Sequence, residues 1–415
     1  MGLVEKRHEF RPDSGEAPFG VDEVFFSRTD KRGIIQAGNY IFKRVSGYDW
    51  DEILGAPHKL VRHPDTPKAV FRLLWDTLKN DKPMGAYVKN KAKDGLPYWI
   101  YAITIPIDDG YLSVRIKPSS DALAKVKELY KELGQTETDD GYEPDEAVCV
   151  LQNQINELGY ADYNAFETDC LMQELASRDQ KMGNTVFPAI ADFEKMRLIA
   201  SDLLAKTETL SSGFKSISAV PTNMRIIAAR LEPSGGAVSS LSQNYWSMSE
   251  EMSDWFNSNV SNTDSDFAEI HKIINTSRFL FGTARIMKIL ATEFSRERRD
   301  LGGGDLALEQ KIVTDLAASY ISKAIAGLDK VASVARDIRA SVGIMRRYTL
   351  GLSSTRVMCN IESARLPSGG GSLVDVIQQL GKFQDDVETL LSQVEAHSLK
   401  ILETAEGLTA SKGGL

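Results

Sequence analysis

Arg62, His63 and Asp65 stand within four positions of one another, and Trp75 follows ten residues after Asp65. These residue types could hold a flat, phosphate-bearing ligand. A guanidinium presents fixed donors that suit pyrophosphate. An indole offers a broad apolar face for stacking. His63 could donate to the edge of a flavin or bind haem iron. The same residues also have a purely structural reading. Arg62-His63-Pro64-Asp65 is then a capped loop in which Asp65 caps a helix starting near Pro67, and Trp75 is core.

A second constellation is a near repeat. Ala229-Arg230-Leu231-Glu232-Pro233-Ser234-Gly235-Gly236 returns as Ala364-Arg365-Leu366-Pro367-Ser368-Gly369-Gly370. These glycines are not phosphate loops, because no strand precedes them and neither GxGxxG nor GxxxxGK[ST] is present. Helix termination accounts for them. Arg230 and Arg365 fall in the last turn before each break, where a cation suits the helix dipole. Their equivalence in two copies also admits a partner-binding set of Arg230, Glu232, Glu362 and Arg365. Glu250-Glu251 and Glu309-Gln310 are weak candidates for methylation. His271 and His397 read as packing residues, and Cys359 as a buried thiol. No Ser-His-Asp set, catalytic carboxylate pair or metal-ligand cluster is defensible, so an enzyme is not expected.

The elements that position these residues follow from pattern and punctuation. The chain has 415 residues, a formal net charge of −9 and 42% hydrophobic residues, enough for two or three folded domains. The acidic balance argues against nucleic acid. Cys149, Cys170 and Cys359 lack CxxC spacing, which fits a reducing compartment. The first residues carry no apolar signal region, no run of about 18 apolar residues occurs, and a cytoplasmic protein is expected.

Residues 1–20 read as a loose arm and 21–120 as an α+β domain. EVFFSRTD and IIQAG form one hairpin, followed by short helices ending at Gly47 and Gly55 and by the amphipathic helix TPKAVFRLLWDTLKN. Three strands close the domain, MGAYVKNKA, PYWIYAITIPI and GYLSVRIK. This predicts a small antiparallel sheet with helices on one face. Residues 121–186 read as a helical connector. Residues 187–300 and 301–415 read as two hairpins of long helices, broken at 233–236, 302–304 and 367–371. Leu328, Val331, Ala335, Ile338, Val342 and Met345 mark one seam, and Leu380, Phe383, Val387, Leu390 and Val394 another. The prediction is an all-α antiparallel four-helix bundle built from two repeated hairpins. Its middle helices would span about 60 residues, or about 90 Å. Both Pro-Ser-Gly-Gly turns would lie at one tip.

Several motifs in the first domain come in a fixed order: Ser46-Gly47-Tyr48, Gly55-Ala56-Pro57-His58-Lys59-Leu60-Val61-Arg62-His63-Pro64-Asp65-Thr66-Pro67, Trp75-Asp76-Thr77-Leu78, Val88-Lys89-Asn90-Lys91, Tyr98-Trp99, Leu112-Ser113-Val114-Arg115 and Leu129-Tyr130-Lys131. Over residues 24–133 the chain thereby resembles the PAS sensor domain of bacterial aerotaxis receptors, whose founding members bind FAD and signal its redox state. The resemblance implies a flavin pocket at Asn39, Arg62, His63, Asp65 and Trp75, with haem or no cofactor as alternatives. Met84 stands where the flavin-binding receptors carry a Trp.

The helical half resembles a degenerate, duplicated signalling domain of methyl-accepting chemotaxis receptors, on Asn360-Ile361-Glu362-Ser363-Ala364-Arg365 and on Thr222-Asn223 with Ala228-Ala229-Arg230. It implies a pseudo-dimeric bundle in one chain, with the chemotaxis kinase and its coupling protein as partners at the tip. A homodimer through the PAS domain is a further expectation. The alternative is a non-sensing scaffold or polar adaptor.

Overall fold

The computed structural model describes residues 10–139, 143–217, 220–230, 236–259, 265–296, 305–365 and 371–411. The described chain groups into two compact units, one of residues 1–191 with 275–324, the other of residues 192–274 with 325–414.

The first unit is built on five antiparallel strands: β1 (Val24–Asp30), β2 (Ile35–Gly38), β3 (Met84–Lys91), β4 (Pro97–Ile107) and β5 (Gly110–Ile116). They lie in the order β2-β1-β5-β4-β3. Between β2 and β3 run α1 (Tyr40–Ser46), α2 (Trp50–Ile53), a 3-10 turn (His58–Val61) and α3 (Lys68–Lys79). Asn39 caps α1, its side chain accepting from the Phe42 amide, and Gly47 ends it in the left-handed conformation at φ 73°. The β4–β5 hairpin keeps register from Tyr101 opposite Ile116 to Ile107 opposite Gly110.

Alternation along each strand sorts residues to two faces. Ser27, Asn90, Ile100 and Arg115 share the face that carries α1–α3. Phe26, Arg28, Tyr87 and Tyr101 share the other. Helices cover both faces, where the sequence predicted one. The second face takes α4 (Ala122–Asp139), α6 (Tyr163–Lys181) and segments of α10 (Asp266–Arg296) and α11 (Leu306–Arg365). α5 (Pro144–Glu157) packs against α3 and α4.

Specific contacts hold this second layer. Tyr87 Oη donates to Glu174 at 2.6 Å, and Tyr101 Oη to the Glu167 carbonyl at 2.8 Å. Glu174 also accepts from the Ser119 and Ser120 amides at 2.6 and 3.1 Å. Phe294 meets Phe26 edge-on with centroids 5.1 Å apart. Arg28 pairs with Glu309 at 2.7 Å, and Glu309 is fully buried. That burial removes Glu309 from the exposed face that methylation would need.

The second unit is a bundle of helices: parts of α7 (Pro188–Ile217), α10 and α11, with α8 (Val220–Arg230), α9 (Gly236–Asn259) and α12 (Gly371–Ala410). Leu328, Val331, Ala335, Ile338, Val342 and Met345 are all buried, as the first seam predicted. Along the middle of α12 the buried positions include Leu380, Gln384, Val387, Leu391, Val394 and Ser398. Phe383 and Leu390, expected on the second seam, are only half-buried, and the adjacent Gln384 and Leu391 are buried instead. Phe214 and Phe383 still meet edge-on at 5.1 Å. His397 is a bridge between helices, its Nε2 lying 2.6 Å from Asp202. Cys359 is buried, which pushes its thiol up to about 11. The Pro-Ser-Gly-Gly turns at Ser234 and Ser368, Glu232, and the Gly302–Gly304 break lie outside the described residues.

Candidate functional site

α3 is an amphipathic helix, and its buried stripe forms the roof of a cavity over the sheet. About 150 Å³ of the cavity admits the centre of a water-sized sphere, within about 810 Å³ of atom-free space that includes the open mouth. Phe71, Leu74, Trp75 and Leu78 descend from α3, and Val88, Ile100 and Ala102 rise from the sheet. Polar groups join them from the strands: Ser27, Thr29, Asn90, Thr104, Ser113 and Arg115. Ser27 Oγ is buried without a hydrogen-bond partner, and Asn90 Nδ2, beside the Tyr98 phenol, makes no hydrogen bond of good geometry. A buried polar group in that state costs about 1–3 kcal/mol, which a ligand supplying partners would recover.

The roof is pinned from outside the strands. The first amides of α3, at Lys68 and Ala69, donate to the Glu137 carboxylate of α4 at 2.9 and 2.8 Å. Glu137 therefore takes the capping position expected of Asp65. Asp65 instead pairs with Lys89 of β3 at 2.6 Å, which holds its carboxyl below the usual range. His63 donates its amide to the Lys89 carbonyl at 3.3 Å, and its Nδ1 accepts from the Asp65 amide at 3.1 Å. Partial burial keeps its ring below the usual histidine pKa.

Of the five residues expected at a cofactor, Arg62 and Trp75 line the cavity. The Arg62 guanidinium lies over the Phe71 ring at 3.6 Å. Trp75 is 37% exposed and meets Tyr111 edge-on at 5.3 Å. Asn39 is spent on structure: it caps α1 and donates to the Val24 carbonyl at 3.0 Å. His63 and Asp65 brace the loop against β3. Met84 is buried on the cavity side of β3, beyond the lining. Of the partner-binding set, Glu362 lies half-buried on α11. Arg230 and Arg365 end α8 and α11, with side chains outside the described residues.

Two lining residues were missed from the sequence. Arg115 is 2% exposed on β5 and donates to His58 Nε2 at 2.6 Å and to the Ser113 carbonyl at 3.1 Å. Arginine only donates, so His58 Nε2 accepts and the ring is neutral. Burial, then the Arg115 charge, pushes His58 down to about 3. Burial pushes Arg115 down to about 10. The Phe25 and Phe42 rings lie 5.7 and 5.6 Å from the guanidinium. Such contacts return about 0.5–2 kcal/mol each, less than the several kcal/mol lost on burying a cation. Among the described residues no carboxylate lies within ion-pair distance of Arg115. A signal was available: Leu112, Val114 and Ile116 alternate, which puts Ser113 and Arg115 together on the other face.

Residues 38–115 match the PAS fold family. This domain is a PAS domain. The chain is 40% identical over 126 residues to the aerotaxis receptor of Escherichia coli, a match covering 29% of this chain and 25% of that protein. It is 30% identical over 84 residues to the nitrogen fixation regulatory protein of Klebsiella pneumoniae, covering 20% of this chain and 17% of that protein. The matches thus span about a quarter or less of these relatives. A solved PAS domain from Colwellia psychrerythraea aligns at 20% identity over 23% of this chain and 85% of that chain, with a TM-score of 0.22. Among the described residues no helix is long and apolar enough to cross a membrane, and no cluster of His, Cys, Asp or Glu could hold a metal ion.

Proposed function

We propose that the chain is a cytoplasmic signal transducer of the aerotaxis type, whose PAS cavity senses redox state or a small ligand and whose helices pass the change to a protein partner. The observation that carries this reading is the cavity wall itself: apolar above and below, with the unpaired Ser27 Oγ and Asn90 Nδ2 at its polar side. The identity to the aerotaxis receptor across this domain supports it.

FAD is the cofactor this reading favours. The lining suits a flat heteroaromatic ring, with Trp75 and Phe71 on one side, Val88 and Ile100 on the other, and Ser27 and Asn90 at its edge. Bound FAD supplies a reversible redox change that alters charge and hydrogen bonding at the ring. The chain's part is to stack, to exclude water, and to register that change through side chains of β1 and β3. Haem is disfavoured, because His58 offers Nε2 to Arg115 and His63 faces Asp65 and Lys89. Output by protein contact, with no catalytic step, fits an exposed apolar stripe on α11: Leu350, Val357, Met358 and Ile361, each about half exposed or more. The chemotaxis kinase and its coupling protein are the partners proposed for that end.

Visible absorption of the purified full chain, before and after incubation with FAD, tests this. Flavin bands that stay with the protein through gel filtration are expected. A protein that remains colourless after loading would overturn the redox reading and leave the scaffold alternative.

A further inference from the structure

The charges around the cavity all have one sign. Lys59, Arg62 and Arg115 line it, beside the neutral His58 ring, and no Asp or Glu does, in a chain whose formal net charge is −9. Arg115 is the deepest of them. Its neighbours are a neutral imidazole, a carbonyl, two aromatic rings and the buried Tyr98 phenol. A guanidinium so placed has donors but no counter-charge. A buried cation without an ion-pair partner points to a ligand that supplies the missing electron density.

We infer that Arg115 anchors the occupant of the cavity by donating to an electron-rich oxygen acceptor, with His58 fixing the guanidinium's direction. This inference rests on the reading of the cavity as a ligand site. The same chemistry has two sources, the carbonyl edge of a flavin ring or the carboxylate of a compact organic acid. His58 is a positioning residue here. Its neutral Nε2 occupies one donor of Arg115 and turns the fork toward the cavity.

The test uses the full chain in three forms: wild type, Arg115→Lys and Arg115→Gln. Each is titrated with FAD, with benzoate, and with benzamide as benzoate's uncharged counterpart. Heat release and thermal shift report binding. The wild type is expected to bind FAD or benzoate, with benzamide at least about tenfold weaker than benzoate if the acid is the occupant. Arg115→Gln is expected to weaken the ligand by at least about tenfold, and Arg115→Lys by less, because the charge is kept and the fork is lost. Equal affinity of Arg115→Gln and wild type for FAD would overturn the anchor while leaving the sensor reading intact. In a wild type that takes up benzoate and not FAD, benzoate and benzamide binding equally well would do the same without relying on any variant's folding. A wild type that takes up neither FAD nor benzoate would remove the ligand site, and the anchor with it.

Discussion

On the outer side of β3 and β4, Tyr87 finds Glu174 and Tyr101 finds the Glu167 carbonyl, while Arg28 of β1 finds Glu309. On the cavity side of the sheet, Ser27 Oγ and Asn90 Nδ2 lack a hydrogen-bond partner, and Arg115 of β5 meets His58 and a carbonyl rather than an anion. The strand side chains of the first face are paired by the chain's own helices. Those of the other have no such partner from the chain. Since a buried polar group is normally paired, the difference separates the face that holds the protein together from the face that does its work.

Removing a group from each face should break the symmetry of effect. Glu174→Ala leaves Tyr87 Oη and the Ser119 and Ser120 amides without their acceptor. The loss expected is about 3 kcal/mol or more, since hydrogen bonds to a charged group contribute about 1.5–3 kcal/mol each. Ser27→Ala on the cavity side should change stability by under about 1 kcal/mol without ligand, because the hydroxyl has no partner to lose. Urea unfolding followed by tryptophan fluorescence compares the two. A Ser27→Ala protein as weakened as Glu174→Ala would remove the distinction between the faces.

The two faces should also respond oppositely to pH. Burial raises the outer Glu167 carboxyl to about 8 in the folded chain. Its contribution is fully present below about 4.5 and is lost as pH rises through about 8. Burial depresses the inner His58 ring to about 3. Its contribution is present above about 6.5 and is lost as pH falls toward 3. Melting temperature should therefore fall on both sides of mildly acidic pH. Glu167→Gln should flatten the alkaline limb alone, which a pH series of thermal melts would reveal.

The smallest effect belongs to the cavity mouth. Trp75→Ala should cost about 1 kcal/mol of stability, for a half-exposed ring with one edge contact. It should weaken FAD retention far more, read as flavin absorbance surviving gel filtration. Comparable loss in both would make Trp75 a core residue with no role in binding.

Much of the sensor domain was legible because its signals are local. The aromatic and β-branched runs of Val24–Asp30 and Pro97–Ile107, and the helical stripe of Val70, Phe71, Leu74 and Leu78, each fix an element within one segment. Arg62 and Trp75 were legible as cavity residues for the same reason. Arg115 was not, since an arginine between Val114 and Ile116 reads as the solvent side of a half-buried strand, and its burial depends on α1 and the turn at His58. The caps differ likewise. Asp65 is close in sequence to α3, yet Lys89 claims it, and the helix takes Glu137 from beyond the domain's expected end. On α12 the seam drifts from Phe383 to Gln384 because a real helix follows its neighbours and tolerates a polar residue where apolar spacing would exclude it.

The reach of Glu137 has a practical side. A recombinant fragment cut at Ser120, where the sheet ends, would keep every strand yet free the N-terminal amides of the helix that roofs the cavity. Such a piece would be expected to breathe at that roof and shed its occupant during purification. Fragments made for ligand screening should extend at least to Asp139, and the hinge of the roof can be loosened on purpose by a single Glu137→Gln change.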